Sequence, residues 1–148
     1  MSKFPELPHS ATLRVRDTCL CLHVQRAARA LARHFDMVLQ PIELTNGQFS
    51  LLNALNRPEP PSIGSVAALL AMDRTTLTAA LKPLERRRLV KVTVDKEDRR
   101  SRRLALTAAG RALLAKAFPL WEAAHAETER AVTPYKPDDL RAALRALA

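Results

Sequence analysis

Glycine is scarce in this chain, with three in 148 residues, alongside six aromatic residues and two cysteines. So few glycines leave no candidate for a glycine-rich phosphate loop. The cysteines, Cys19 and Cys21, lie too close together to staple a fold, which points to the reducing cytoplasm. His9, His23, His34 and His125 are scattered, and with this cysteine pair they form no zinc-ligand spacing. No metal and no other cofactor is therefore expected. No Ser/His/Asp order or metal pair suggests an enzyme. No apolar run approaches the roughly 20 residues that span a bilayer. Met1 to Ser10 holds two prolines, Glu6 and one lysine without an apolar stretch, so no secretory leader is expected there. Acidic residues are also short: 15 Asp and Glu face 24 Lys and Arg, a formal net charge of +9. Such an excess asks for an anionic partner.

What is abundant is helix-forming: 25 Ala and 24 Leu make up a third of the chain. Residues 1–11 read as an arm, broken by Pro5 and Pro8. From Asp17 to Leu39, Leu20, Val24, Ala27, Leu31, Phe35 and Val38 recur every three or four residues, which predicts one helix ended by Pro41. Thr45 offers an N-cap for a short helix carrying Phe49, Leu52 and Leu55. A proline-rich loop follows over 57–61. Ser62 caps a second short helix, with Ile63, Val66, Ala67 and Leu70 inward. Ala71 and Met72 turn the chain, and Asp73 caps a third helix with Leu77, Leu81 and Leu84 inward.

After Arg88 the apolar period shortens to two. Val90, Val92 and Val94 alternate with polar residues, and so do Leu104 and Leu106, which predicts a β-hairpin with a charged tip over 95–101. Thr107 caps a long helix reaching about Val132, with Pro119 inside it as a kink or joint. A last helix over 138–148 carries Leu140, Leu144 and Leu147 on one stripe. Helices 62–70 and 73–87 have helix-turn-helix dimensions, and the hairpin after them makes a winged helix. The fold class is thus mainly α with a small β-hairpin wing.

The charge is concentrated in this module. Between Lys82 and Arg103 ten basic residues oppose four acids, so 22 residues hold +6 of the +9. The exposed start of helix 73–87 offers Arg74, Thr75, Thr76 and Thr78, with Lys82 further along. Arginine can donate two bonds to a guanine edge, and threonine supplies a hydroxyl and a methyl. Asp98, Arg99, Arg100 and Arg102 lie at the hairpin, where an arginine could enter a narrow minor groove. The plainer alternative is a solvated basic hairpin, or a basic module that binds RNA or protein. Aromatic stacking residues for single strands are few.

These residues carry a resemblance. Ile63-x-x-Val66-Ala67-x-x-Leu70 is followed by Asp73-Arg74-Thr75-Thr76-Leu77-Thr78, then Leu84-Glu85-x-x-x-Leu89-Val90. Asp95-x-x-Asp98-Arg99-Arg100 and Leu106-Thr107-x-x-Gly110 complete the series. Together they resemble the MarR family of bacterial transcriptional regulators over roughly residues 17–147. The resemblance implies a homodimer built by residues 1–44 and 108–148, flanking a DNA-binding winged helix over 45–107. It implies that helix 73–87 enters the major groove and Arg100 the minor groove, while Asp98 helps hold the wing tip. It implies double-stranded DNA as the partner, a near-palindromic operator, and repression relieved by an effector. Two residues depart from the family pattern. Arg88 stands where glycine is usual, and Pro83 lies within the recognition helix.

Two signals are conceivable from the residues. A small aromatic or anionic effector would find His23, Arg26, Phe35, Phe49 and Trp121 as candidate cleft residues. Alternatively, Leu20-Cys21-Leu22 resembles the segment holding the reactive cysteine in the family's organic-hydroperoxide branch. That branch surrounds its cysteine with tyrosines, whereas this chain has Gln25, Phe35 and Phe49. Residues two apart on a helix point about 200° apart, so Cys19 and Cys21 make no easy disulfide. The plainer reading makes both cysteines small buried packing residues.

Overall fold

Residues 5–148 are described by a computed structural model, and seven α-helices and one antiparallel hairpin account for most of them. The chain divides into two compact units at the junction of His34 and Phe35.

The first unit corrects the sequence expectation. Helix α1 begins at His9, inside the expected arm, and runs to Thr18. The first four residues of that arm lie outside the described residues. Cys19 then adopts an extended conformation, and α2 follows over Leu20–Leu39. One helix was expected here, and two form. The break is local. Thr18 Oγ1 donates to the Arg14 carbonyl at 2.7 Å, so a side chain competes with the backbone ladder at that turn. The Cys19 carbonyl accepts the His23 N–H at 3.1 Å and contacts its ring Nδ1 at 2.8 Å, which starts the next helix. No residue of α1 is buried.

The second unit holds the core. Helix α2 ends at Leu39, and Pro41 sits at the start of a single 3₁₀ turn over Gln40–Ile42. Helices α3 (Asn46–Leu55), α4 (Ile63–Leu69) and α5 (Arg74–Arg86) follow, then β1 (Val90–Val94) and β2 (Arg102–Leu106). Helix α6 (Ala108–Ala131) and helix α7 (Pro137–Arg145) complete the chain. The strands pair from Val90↔Leu106 to Val94↔Arg102. A lone bridge between Ser62 and Arg103 places the segment before α4 against the outer edge of β2.

Four helix starts, those of α3 to α6, are fixed by a short polar side chain. Thr45 and Gln48 form a reciprocal capping box on α3. Ser62, Asp73 and Thr107 cap α4, α5 and α6 by accepting from the backbone N–H three residues on. The core is largely leucine: Leu39, Leu52, Leu77, Leu81, Leu84 and Leu104 are all but fully buried, with Val66. Each such side chain contributes roughly 1.5–3 kcal/mol by leaving water. Both helix-borne prolines are absorbed, since α5 runs unbroken through Pro83 and α6 through Pro119.

The helix ends use an unusual residue set. Glu43 (φ 54°), Ala71 (φ 51°) and Arg88 (φ 55°) are left-handed, and no glycine has positive φ. All three close the same double-bonded cap. At the end of α5, Arg88 N–H donates to the Glu85 carbonyl and Leu89 N–H to the Leu84 carbonyl, both at 2.9 Å. At the end of α4, Ala71 N–H reaches Ala68 and Met72 N–H reaches Ala67. At the 3₁₀ turn, Glu43 N–H reaches Gln40 and Leu44 N–H reaches Leu39. This is the Schellman arrangement, built without the glycine that usually occupies its left-handed position. Arg88 thus keeps the cap geometry of a glycine and holds it in a strained backbone region.

Candidate nucleic-acid interface

The two helices of the helix-turn-helix meet through the Leu70–Asp73 turn, closed by the Ala71 cap. Asp73 then opens α5 with two bonds. Its carboxylate accepts the Thr76 N–H at 2.8 Å and the Thr76 hydroxyl at 2.7 Å. These bonds, the backbone one foremost, hold the Asp73 carboxyl below its ordinary range. A carboxylate there also faces the positive end of the helix dipole.

Arg74, Thr75, Thr78 and Lys82 border one shallow groove along α5, with Ala79 between them. Positions 74, 78 and 82 are four apart and so share one helix face. The small Ala79 keeps the floor of the groove open. Arg74 lies back toward α4, where a Cβ on Gly64 would come within 3.1 Å of its Nη2. Thr76, also expected at the interface, is exposed but spends its hydroxyl proton on Asp73. The Thr78 hydroxyl donates to the Arg74 carbonyl at 2.8 Å. Both threonines keep free lone pairs and a methyl, which suits acceptance from a base and contact with thymine.

The wing tip is built on carboxylates. Asp95, the first residue after β1, is buried. Its Oδ1 accepts from Glu97 N–H at 2.8 Å and Asp98 N–H at 3.2 Å, and its Oδ2 pairs with Arg103 Nε. The Glu97 N–H first, then Arg103 and the Asp98 N–H, hold this carboxyl below the usual range. Asp98 adds the next turn by accepting Arg100 N–H at 3.0 Å, while its carbonyl accepts Ser101 N–H. Arg102 Nη1 folds back onto the Arg99 and Ser101 carbonyls. Arg99 and Arg100 project from this frame as exposed side chains without a hydrogen-bond partner among the described residues. Sequence reasoning singled out Asp98 but missed the part played by Asp95 and Arg103. The available signal was one acid, Asp95, at the strand end of a basic run.

Two of the candidate cleft residues meet at one cavity within the second unit. Phe49 and Trp121 stack with ring centroids 6.1 Å apart, and both border a cavity of about 430 Å³ between α3, α4 and α6. Asn53, Leu69, Leu70 and Phe118 also line it, and no charged side chain does. Phe35 is half-buried in the same unit but does not border the cavity. His23 and Arg26 belong to the first unit and are exposed. Cys21 is exposed and Cys19 half-buried, both as free thiols, which corrects the expectation of buried packing residues. Gln25 Nε2 donates to Cys21 Sγ at 3.1 Å. Among the described residues no group of three or more His, Cys, Asp or Glu could hold a metal ion. No helix of the described residues is long and apolar enough to cross a membrane.

This geometry agrees with known proteins. Residues 44–110 match the family model described as a winged helix DNA-binding domain. The structure resembles that of the M. tuberculosis transcriptional regulator MosR in complex with DNA, at TM-score 0.80 and 38% identity. That match covers 88% of this chain and 93% of the other. The chain belongs to the MarR family. A MarR-family transcriptional regulator from Rhodococcus sp. RHA1 aligns at TM-score 0.73 and 25% identity, covering 84% of this chain and 88% of that one. The HTH-type transcriptional regulator TtmR of Methylorubrum extorquens is 36% identical over 100 residues, which is 68% of this chain and 51% of TtmR. The chain thus spans about half the length of that curated relative. The MarR family is one of DNA-binding transcriptional regulators, not a class of enzymes.

Proposed function

We propose that this MarR-family protein is a homodimeric regulator that binds a near-palindromic site on double-stranded DNA and represses transcription until an effector arrives. The observation that carries the reading is the α5 groove. Arg74, Thr75, Thr78 and Lys82 line it together, on a helix whose start is capped and anchored by Asp73. Such a face fits the major groove, while exposed Arg99 and Arg100 on the wing fit the adjacent minor groove. A second copy is supported by apolar side chains that the single chain leaves exposed. Leu20 and Val24 on α2 are 68% and 38% exposed, and Leu140 and Leu144 on α7 are each 43% exposed. Half-sites would then lie about one helical turn apart. A dimer seated on such a site blocks access by other proteins, which is repression in its simplest form.

The test is selection of bound fragments from random duplex DNA, followed by titration against salt. A palindrome with half-sites about 10 base pairs apart is expected. Arg100→Ala should weaken binding to every duplex and reduce the salt slope by about one. Arg74→Ala should change which bases are preferred. Enrichment of no symmetric sequence would remove the regulator reading.

For the effector, the aromatic walls and uncharged lining of the α3–α4–α6 cavity favour a small neutral aromatic molecule over the anionic one the sequence also allowed. An oxidant signal is the second reading. It is favoured by the exposed Cys21 thiol, whose sulfur accepts the Gln25 amide N–H at 3.1 Å. If DNA release by peroxide is the same in Cys21→Ser as in the parent, the second reading fails.

A further inference from the structure

Of the ten basic residues between Lys82 and Arg103, Arg103 alone forms an ion pair among the described residues. Arg103 Nε pairs with the Asp95 carboxylate, and Asp95 is the one buried polar or charged side chain among the described residues. The pair ties three segments together. Asp95 holds the wing tip by accepting the Glu97 and Asp98 N–H groups, and its own N–H donates to the Ser101 carbonyl at 3.1 Å. Arg103 belongs to β2 and sits diagonally across the hairpin, since Thr93↔Arg103 and Val94↔Arg102 are the last register pairs. Its Nη1 reaches the Pro60 carbonyl at 3.4 Å, its backbone bridges Ser62, and Leu104 N–H donates to the Pro61 carbonyl at 2.9 Å. Ser62 is the N-cap of α4. The clasp therefore runs from the wing tip, through β2, to the start of the helix-turn-helix.

We propose that Asp95 and Arg103 are positioning residues for DNA binding: together they fix the wing hairpin against the 60–62 segment so that Arg99 and Arg100 meet the duplex, and neither touches DNA. The proposal rests on the DNA-binding reading above. It assigns opposite roles to neighbouring arginines. Arg99 and Arg100 face outward without partners, whereas the Arg103 guanidinium is committed to a carboxylate and a carbonyl. A planar guanidinium suits this double task, because Nε and Nη1 can donate in two directions at once.

The sign of one substitution is diagnostic. Removing a carboxylate from a surface that faces a polyanion ordinarily strengthens binding, because repulsion falls. Asp95→Asn is expected to do the reverse. Its amide cannot hold Arg103 electrostatically, and the wing loses its fixed pose.

The experiment uses the full-length chain and a mixed-sequence duplex about three helical turns long. Affinity is measured across a salt series for the parent, Asp95→Asn, Arg103→Gln, Arg103→Lys and the double variant Asp95→Asn/Arg103→Gln. Far-ultraviolet circular dichroism checks that each is folded. Asp95→Asn and Arg103→Gln should each weaken binding by roughly tenfold, and the double variant should be no worse than either single one. Arg103→Lys keeps the charge and one donor, so it should recover part of the loss; it also keeps the test open if Arg103→Gln fails to fold. The salt slope should stay at the parent value in Arg103→Gln, in contrast to its fall in Arg100→Ala. The proposal is overturned if Asp95→Asn binds as tightly as the parent or more tightly, or if Arg103→Gln lowers the slope by about one. A parent that binds no duplex overturns the DNA-binding reading itself, a different outcome from a parent that binds and an Asp95→Asn variant that binds equally.

Discussion

Replacing Ala71 by glycine is expected to stabilise the protein. Ala71 holds the left-handed position of the cap between α4 and α5, at φ 51°. There its Cβ crowds the following carbonyl, a conformation that costs an L-residue about 1–2 kcal/mol. Glycine escapes that cost but gives up about 0.4–1 kcal/mol more backbone entropy on folding. The difference leaves a gain of about 0.5–1 kcal/mol. Ala71 is a cleaner site than Glu43 or Arg88, which share the geometry. Its side chain is exposed, so little packing is lost, and no charge changes. Glu43 and Arg88 also lie beside the Arg87 Nη1 bond to the Glu43 carbonyl, so their effects would couple. For a chain near 150 residues a gain of this size raises Tm by roughly 1–4 °C. Thermal and urea unfolding at one fixed protein concentration measure it, because association would otherwise shift the midpoint. The urea slope should not change. Ala71→Val is the opposite control and should destabilise, since β-branching makes the left-handed region worse. A lower Tm for Ala71→Gly would refute the reasoning, because it would mean the methyl contributes more than the left-handed backbone costs.

Two more outcomes follow from the caps and the wing. Gly110 lies in the first turn of α6, where a Cβ would fall 2.1 Å from the Leu89 carbonyl oxygen, a backbone atom with nowhere to go. Gly110→Ala should therefore destabilise by about 1–3 kcal/mol or more, and an unchanged urea midpoint would show that the α6 start can shift freely. Acid should weaken the fold through Asp73 and Asp95. Both carboxyls are held below their ordinary range when folded, so their contribution is complete above the unfolded value near 4 and is lost as pH falls through the lowered folded values. Tm is expected to be level from about pH 7 to 5 and to drop below about 4. The Asp73→Asn/Asp95→Asn double variant should show a shallower drop, and parallel curves for variant and parent would exclude these two groups as the cause.

What was legible in the sequence was what local chemistry decides. Thr45, Ser62, Asp73 and Thr107 each bond a backbone N–H three residues on, so the polar residue before an apolar run marks a helix start directly. The strands also announced themselves, because the period of two in Val90, Val92 and Val94 is incompatible with the helix before it. The division of the N-terminal helix at Cys19 did not. No proline or glycine marks it, and helix-compatible residues continue without interruption from α2 back to Asp17. The left-handed residues at Glu43 and Ala71 were hidden for a related reason. Their usual signal is glycine, and this chain builds the same cap without it. Of the candidate cleft residues, Phe49 and Trp121 share a cavity wall within the second unit, a juxtaposition that depends on how α3 packs on α6.

The basic segment shows why counting charge stops short of locating an interface. The +6 between Lys82 and Arg103 is one number in sequence, but the structure divides it by task. Arg103 is paired with Asp95 and Arg87 is bonded to the Glu43 carbonyl, while Arg102 lies along its own loop. These three hold the cap and the wing in place. Lys82 faces the α5 groove, and Arg99 and Arg100 face solvent. Salt dependence of binding counts the phosphates neutralised and not the cations present. The slope per subunit should therefore follow the outward set and fall well short of ten. That partition depends on cross-hairpin register and on carbonyls far away in sequence. A pair such as Asp95 and Arg103, eight residues apart among many like neighbours, becomes distinct from them only once the strands are in place.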